Sequence, residues 1–120
     1  MQNTNSRTLT QSTMTVSELL HSTDILHPSD GNISGMCLED FTLILERMLS
    51  GECTTFVIEN DGFIKDGKKR FNILNSYIRG DYALTDSSLF STLSQKAFSE
   101  LPGETQEQIL NLPLVVIHEG

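Results

Sequence analysis

The chain has 120 residues, with eight basic and 16 acidic residues and a formal net charge of −8. This length suits one domain. The acidic balance argues against general binding to nucleic acid or anionic membrane, because both attract basic proteins. No apolar run approaches the ~18 residues that a membrane-spanning helix needs, and two cysteines are too few for a disulfide framework.

The first residues of the chain are almost all Ser, Thr, Asn and Gln. Such a composition buries too little apolar area to offset the entropy lost on ordering. It predicts a flexible polar tail over residues 1–14 and one domain over residues 15–120. In composition the tail is similar to the unstructured export signals of type III secreted proteins. Since no basic and then apolar signal-peptide pattern occurs, we expect a cytoplasmic location, or export by a route without a Sec signal peptide.

Helical spacing of apolar residues is clearest over residues 36–49. Ser34 is a candidate N-cap for this helix, and Gly51 supplies a C-terminal stop. We therefore expect an amphipathic helix. The apolar residues at this spacing are Leu38, Phe41, Ile44, Leu45, Met48 and Leu49.

Residues 53–58 are rich in β-branched and aromatic side chains and predict a strand. Phe71, Ile73, Tyr77 and Ile78 alternate in part, which favours a second, longer strand. Glycine turns between these segments predict an antiparallel meander over residues 53–79. In this interpretation the Asp-Gly pairs open no helix, so no glycine-rich phosphate loop is expected.

Two further helices and a last strand are predicted in the C-terminal third. Asp86 or Ser87 is the candidate cap of a helix whose apolar stripe runs through Leu89, Leu93, Ala97 and Leu101. Residues 104–112 predict a shorter helix, and the apolar run 114–117 predicts a strand that is buried on both faces.

These elements together predict an α+β fold in the order α-β-β-α-α-β. The sheet is expected to be small and mostly antiparallel, with three to four strands and about three helices on one face. This is a framework on which a binding surface is easily built.

Five of the eight basic residues lie between residues 65 and 79 of this acidic chain. This asymmetry indicates a surface for an acidic partner or for phosphates. The alternative is that lysines keep a hairpin edge solvated. The candidate partner-binding residues are Lys65, Lys68, Lys69, Arg70 and Arg79.

Cys37 lies near the predicted start of a helix, where the dipole favours a thiolate. His118 follows on the last predicted strand, an order similar to that of papain-like enzymes, although the flanking signature of that family is absent. The alternative is a small buried thiol. Cys37 and His118 are the candidate catalytic residues, while the sequence as a whole favours no enzyme.

Asp30, Asn32 and Ser34, followed by Gly35, match the first half of an EF-hand calcium loop. The twelfth position of that loop is Phe41 rather than the bidentate glutamate. The alternative is a turn that leads into the Ser34 cap. These three residues are the candidate metal ligands, but we expect neither a metal nor another cofactor.

Size, charge and the lack of a catalytic motif favour a small acidic, regulatory protein-binding domain, such as an inhibitor, an immunity-type protein, a secretion chaperone or an adaptor. Its partner is expected to be another protein, with self-association into a homodimer left open, and neither nucleic acid nor membrane is expected to bind. The two alternatives are a secreted effector with an N-terminal export signal and a small cysteine-dependent enzyme.

Overall fold

The computed structural model describes residues 9–28, 35–85 and 93–119. Its elements are strand β1 (Leu9–Thr15), helix α1 (Val16–His21), helix α2 (Leu38–Leu49), strand β2 (Thr55–Ile58), strand β3 (Ile64–Asp66), helix α3 (Lys68–Ile78), helix α4 (Gly103–Leu110) and strand β4 (Pro113–Glu119). None of the helices within these ranges combines the length and apolar character needed to cross a membrane.

The four strands form one mixed sheet in the order β1-β4-β2-β3. Strand β4 pairs antiparallel with β1 and parallel with β2, and β2 pairs antiparallel with β3. Two of the three pairings are antiparallel. The predicted α+β class and mostly antiparallel sheet are therefore confirmed.

The apolar run of β4 explains its central place in the sheet. Leu114 and Val116 are fully buried, and Phe56 of β2 lies beside Val116 on the same face. Val115 and Ile117 point to the other face and are half-buried. The helices cover the first face, so the expected burial on both faces is complete on one face and partial on the other.

Strand β1 occupies residues that the sequence places in the flexible tail. Residues 9–15 pair with β4 along their whole length, and Thr15 then begins α1. The Thr15 hydroxyl accepts from the Glu18 amide at 3.1 Å, and the Glu18 carboxylate accepts from the Thr15 amide at 2.8 Å. Pairing with an apolar strand thus orders a polar segment that has little apolar area of its own. Residues 1–8 lie outside the described ranges.

Three predicted elements are confirmed with small shifts at their ends. The helix predicted over 36–49 is α2, the strand predicted over 53–58 is β2, and the helix predicted over 104–112 is α4. Each combines a clear apolar pattern with a glycine or proline beside it, so local sequence is sufficient to define it.

The predicted meander over residues 53–79 is wrong in its second half, where the chain forms α3. The buried side chains are Phe71, Ile73, Leu74 and Tyr77. Phe71, Leu74 and Tyr77 recur every three residues and lie on one helical face. Ile73 adds an accidental two-residue spacing, which makes the segment resemble a strand.

The predicted helix ending near Leu101 is also wrong over its described part. Residues 86–92, with both candidate caps, lie outside the described ranges. After them, Gln95 has φ 60°, and Ala97 forms an antiparallel bridge with Ala83. A left-handed residue and a cross-chain bridge both interrupt a helix, and only a short 3-10 turn follows, at Phe98–Glu100.

Candidate functional site

The first turn of α3 lies beside a shallow pocket of about 350 Å³. Gly67, with φ 107°, is the N-cap of α3 and connects it directly to β3. The Asp66-Gly67 pair therefore does open a helix, contrary to the sequence interpretation. The pocket combines the positive end of a helix dipole with basic side chains, an arrangement that favours anions. It is lined by Lys65, Asp66, Gly67, Lys68, Lys69 and Arg70.

Arg70 has a structural role within this cluster. Its guanidinium donates to the carbonyl oxygens of Cys53 and Thr55, the latter at 2.9 Å, and lies over the Phe56 ring, 4.9 Å from the centroid. Its side chain is only 18% exposed and also pairs with Asp66 at 3.5 Å. Arg70 thus joins α3 to β2 and holds the start of the helix against the sheet.

A second, larger pocket of about 600 Å³ adjoins the first and shares Lys65 and Lys68 with it. We call the two pockets together the basic groove. The larger pocket lies between the segment after α1, the β2–β3 hairpin and the start of α3. It is lined by Leu26, His27, Pro28, Glu59, Phe63, Ile64, Lys65 and Lys68.

Two exposed apolar side chains border the basic groove. Phe63 at the tip of the hairpin is 54% exposed, and Leu26 in the segment after α1 is 43% exposed. A backbone hydrogen bond from the Leu26 amide to the Gly62 carbonyl, at 2.9 Å, holds the two segments together. The apolar part of the groove is therefore built on a fixed backbone contact.

His27 connects the groove to the core. Its Nε2–H donates to the Leu20 carbonyl oxygen at 3.2 Å, and its ring meets the buried Phe71 ring edge-on at 4.9 Å between centroids. Because Phe71 belongs to α3, this contact fixes the segment after α1 against the helix that carries the lysines. The groove is thus bounded by three elements that are each tied to the core.

The groove also contains acidic groups, which limit its net charge. Lys65 pairs with Glu119 of β4 at 3.1 Å, and Glu59 lines the larger pocket. Lys69, which is exposed in the first turn of α3, is a cation of the smaller pocket. Acidic and basic side chains thus line the groove together, with Lys68 and Lys69 in the first turn of α3.

Arg79 does not join the other four predicted partner-binding residues. It is the C-cap of α3, at the opposite end of the helix, about 15 Å away at 1.5 Å rise per residue. It pairs with the nearby Asp81. The cluster that appears continuous in sequence is therefore divided, and only its first four residues line the groove.

Cys37 and His118 lie on different elements, and no hydrogen bond between them is among those of the described residues. Cys37 is the N-cap of α2, as predicted near a helix start, and its thiol donates to Asp40 Oδ2 at 3.2 Å. His118 lies on β4, opposite Thr10 of β1. An imidazole that activates a thiol is bonded to it directly, so the catalytic pair stays a prediction.

The candidate metal ligands Asp30, Asn32 and Ser34 lie outside the described residues. Within the ranges that the structure describes, no group of three or more His, Cys, Asp or Glu side chains is arranged to hold a metal ion. The donor set predicted from the sequence therefore stays a prediction.

The cations of the groove are evident in the sequence, but its apolar part is not. Leu26 and His27 lie about 40 residues before the lysines in the chain, so only the fold brings them together. Phe63 carried a signal, since a large aromatic residue next to the Asp61-Gly62 turn is expected to lie at an exposed hairpin tip.

Comparison of the chain with protein-family models, with curated proteins and with solved structures finds no match. The class that fold and site define is an α+β domain with a groove that combines lysines and exposed apolar side chains.

Proposed function

We propose that the chain is a protein-binding domain that docks an acidic segment of another protein in the basic groove. The segment carries at least one apolar side chain. The observation behind the proposal is that exposed Phe63 and Leu26 lie around the same pocket as Lys65 and Lys68. Charge and apolar area are thus available together on one concave surface.

The charge distribution supports an acidic ligand. The chain carries a net charge of −8, yet three of its four lysines line the groove. Most of the surface repels an acidic partner, while the groove attracts it. The partner is therefore expected to approach the domain with its acidic segment toward the groove. The dipole of α3 adds to the attraction at Lys68 and Lys69.

The exposed apolar side chains support a ligand with an apolar group. Large exposed apolar residues at a concave, cationic surface are typical of interaction sites. Phe63 and Leu26 face a pocket of about 600 Å³, which has room for one or two side chains of a partner. Their burial would supply affinity, while the lysines would supply orientation.

A titration followed by NMR tests the proposal. The probe is a fluorescein-labelled peptide of alternating glutamate and leucine, and a polyglutamate peptide is the comparison. We expect the amide shifts of Phe63, Lys65, Lys68 and Lys69 to move with the first peptide and less with the second. Rising salt should weaken both interactions.

Charge reversal gives a test variant and a control variant. Lys68→Glu combined with Lys69→Glu should weaken binding roughly tenfold, because each surface charge pair contributes up to about 1 kcal/mol. Lys96→Glu changes an exposed lysine outside both pockets and should leave binding unchanged. Equal loss in both variants, or shift changes confined to other surfaces, would reject the groove as the docking site.

A phosphate-bearing ligand is the second candidate, and one observation favours it. Strand β3, Gly67 and α3 follow one another directly, with lysines in the first turn. This arrangement is used for phosphate groups at helix N-termini. Inorganic phosphate and pyrophosphate are therefore included as separate titrations. Shifts at Lys68 and Lys69 with pyrophosphate, and none with either peptide, would favour this candidate over the protein segment.

The effector hypothesis stays a prediction, and the structure changes how it is tested. Residues 9–14 belong to β1, so deleting the whole predicted tail would remove a strand of the sheet. Deleting residues 1–8 alone leaves the described fold complete. Loss of export in this shorter deletion, with unchanged folding, is the outcome that the effector hypothesis requires.

A further inference from the structure

Among the described strands, β1 is an edge of the sheet, and no described strand pairs with its outer side. The Val16 amide donates to the Leu112 carbonyl oxygen at 3.1 Å, which sets the phase of the antiparallel ladder with β4. Along an antiparallel ladder, residues whose backbone groups bond to the partner strand alternate with residues whose backbone groups point away from it. Thr10, Ser12 and Met14 therefore direct their backbone groups toward β4.

The remaining residues of β1 direct their amide and carbonyl groups outward. These are Leu9, Gln11 and Thr13, since the Thr15 amide is used by Glu18. Their side chains are exposed, on the face of the sheet opposite the helices. Within the described ranges, β4 is the only strand paired with β1.

The two edges of the sheet differ in how they are protected. The edge strand β3 has three residues, carries Lys65 and Asp66, and pairs with β2 in a shifted register. Short length, charges and irregular pairing are the usual means by which edges avoid further strands. Strand β1 has seven residues, no charge, no proline and an unbroken register with β4.

We propose that β1 pairs antiparallel with β1 of a second copy of this chain, with Gln11 opposite Gln11 of the second copy. In this register Leu9 lies opposite Thr13 of the second copy, and Thr13 opposite its Leu9. All the outward groups of the three residues are then paired, in about six hydrogen bonds. The two four-stranded sheets become one continuous sheet related by a two-fold axis.

Charge makes a second copy a suitable occupant of this edge. A chain with a net charge of −8 repels its own copies over most of its surface. Strand β1 contains no acidic and no basic residue, so repulsion is least where β1 meets β1. The register is also complementary to itself, because polar Gln11 lies on the axis and apolar Leu9 faces the small Thr13.

The expected dimer is weak. A pairing of one strand with another buries less than the ~1,200–2,000 Å² of a stable protein interface. Sedimentation equilibrium from micromolar to millimolar concentration should show an average mass that rises toward twice 13.4 kDa. The proposal is independent of the groove, because β1 and β3 lie at opposite edges of the sheet.

Charged variants at the two-fold axis test the register. Gln11→Lys and Gln11→Glu each place like charges face to face and should weaken self-association roughly fivefold. An equimolar mixture of the two variants should recover it through opposite charges. Gln108→Lys makes the same chemical change on an exposed part of α4 and is the matched control.

Gln11→Pro provides a second test that does not depend on charge. The Gln11 amide points away from β4, so proline should leave the β1–β4 ladder formed and remove two bonds of the proposed interface. Far-UV circular dichroism checks that each variant is folded. A monomer at all concentrations for the unmodified chain would overturn the proposal. So would a dimer that neither Gln11→Pro nor the single charged variants weaken.

Discussion

Gly67 lies directly against the ring of Phe56, which is fully buried. A Cβ atom built at Gly67 would overlap the Phe56 ring, because its distance to Phe56 Cδ2 is shorter than real Cβ contacts allow. Glycine at this position lets α3 begin immediately after β3, close to β2. This close approach positions the first turn of α3, and with it Lys68 and Lys69, at the basic groove.

Replacing Gly67 with alanine should therefore destabilise the fold by about 2–5 kcal/mol. The left-handed backbone contributes about 1–2 kcal/mol of this and the contact with Phe56 the remainder. Gly80 is the matched control, because its φ is +85° and nothing lies within 4 Å of an added Cβ. Gly80→Ala should cost only about 1–2 kcal/mol. Urea unfolding measures both, and equal losses would show that the contact with Phe56 is unimportant.

Arg70 should be sensitive even to a conservative change. Arg70 Nη1 donates to both the Cys53 and Thr55 carbonyls while Nη2 pairs with Asp66 and the planar guanidinium lies over Phe56. A single ammonium group cannot make all of these contacts at once. We expect Arg70→Lys to lower the free energy of unfolding by about 1–3 kcal/mol. Arg79→Lys alters an exposed pair with Asp81 and should change it by less than about 1 kcal/mol. Similar midpoints of urea unfolding for the two variants would argue against a structural role of Arg70.

The fold was predictable where local pattern and tertiary position agree, as in α2 and β4. It was not predictable where pairing with a distant segment decides the structure. Polar β1 is a strand because β4 lies beside it, and residues 95–97 leave the helical path to pair with residues 83–85. Neither influence is visible within a window of neighbouring residues.

The candidate site was predictable in its charges and not in its shape. The run of basic residues is evident in the sequence, but recognising α3 required Leu74 to be grouped with Phe71 and Tyr77 rather than Ile73. Because residues 68–78 form a helix, Arg79 lies at its C-terminal end, while Lys68 and Lys69 lie in its first turn. Because a strand and a helix differ by about 2 Å in rise per residue, one misassigned element changes which cations are neighbours.

Phe63 should affect binding without affecting stability. It is 54% exposed, so Phe63→Ala is expected to change the free energy of unfolding by less than about 0.5 kcal/mol. Phe56→Ala, at a fully buried position of the same hairpin, should cost about 3–5 kcal/mol. Urea unfolding compares the two variants. A cost above about 2 kcal/mol for Phe63→Ala would assign this ring to the core rather than to the groove.

The two tyrosines should make the fold sensitive to alkaline pH. Burial, with a smaller contribution from the Glu100 charge, raises the pKa of Tyr77 to about 12. Burial, with smaller contributions from Tyr77 and Asp81, also raises the pKa of Tyr82 above its ordinary value. Each hydroxyl donates to a backbone carbonyl, Tyr82 to Ile73 at 2.8 Å and Tyr77 to Lys96 at 3.4 Å.

Because the unfolded tyrosines lose their protons near pH 10 while the folded ones keep theirs, the unfolded state binds fewer protons above that pH. The contribution of the two tyrosines to the free energy of unfolding is therefore fully present below about pH 10 and decreases as the pH rises toward 12. Tyr77→Phe combined with Tyr82→Phe should lower stability at pH 7 by about 1–2 kcal/mol, mainly through the lost bond to Ile73. The double variant should also lose less of its free energy of unfolding as the pH rises above 10. Urea unfolding at a series of pH values up to 11 measures this, and an unchanged slope in the double variant would assign the decline to lysines instead.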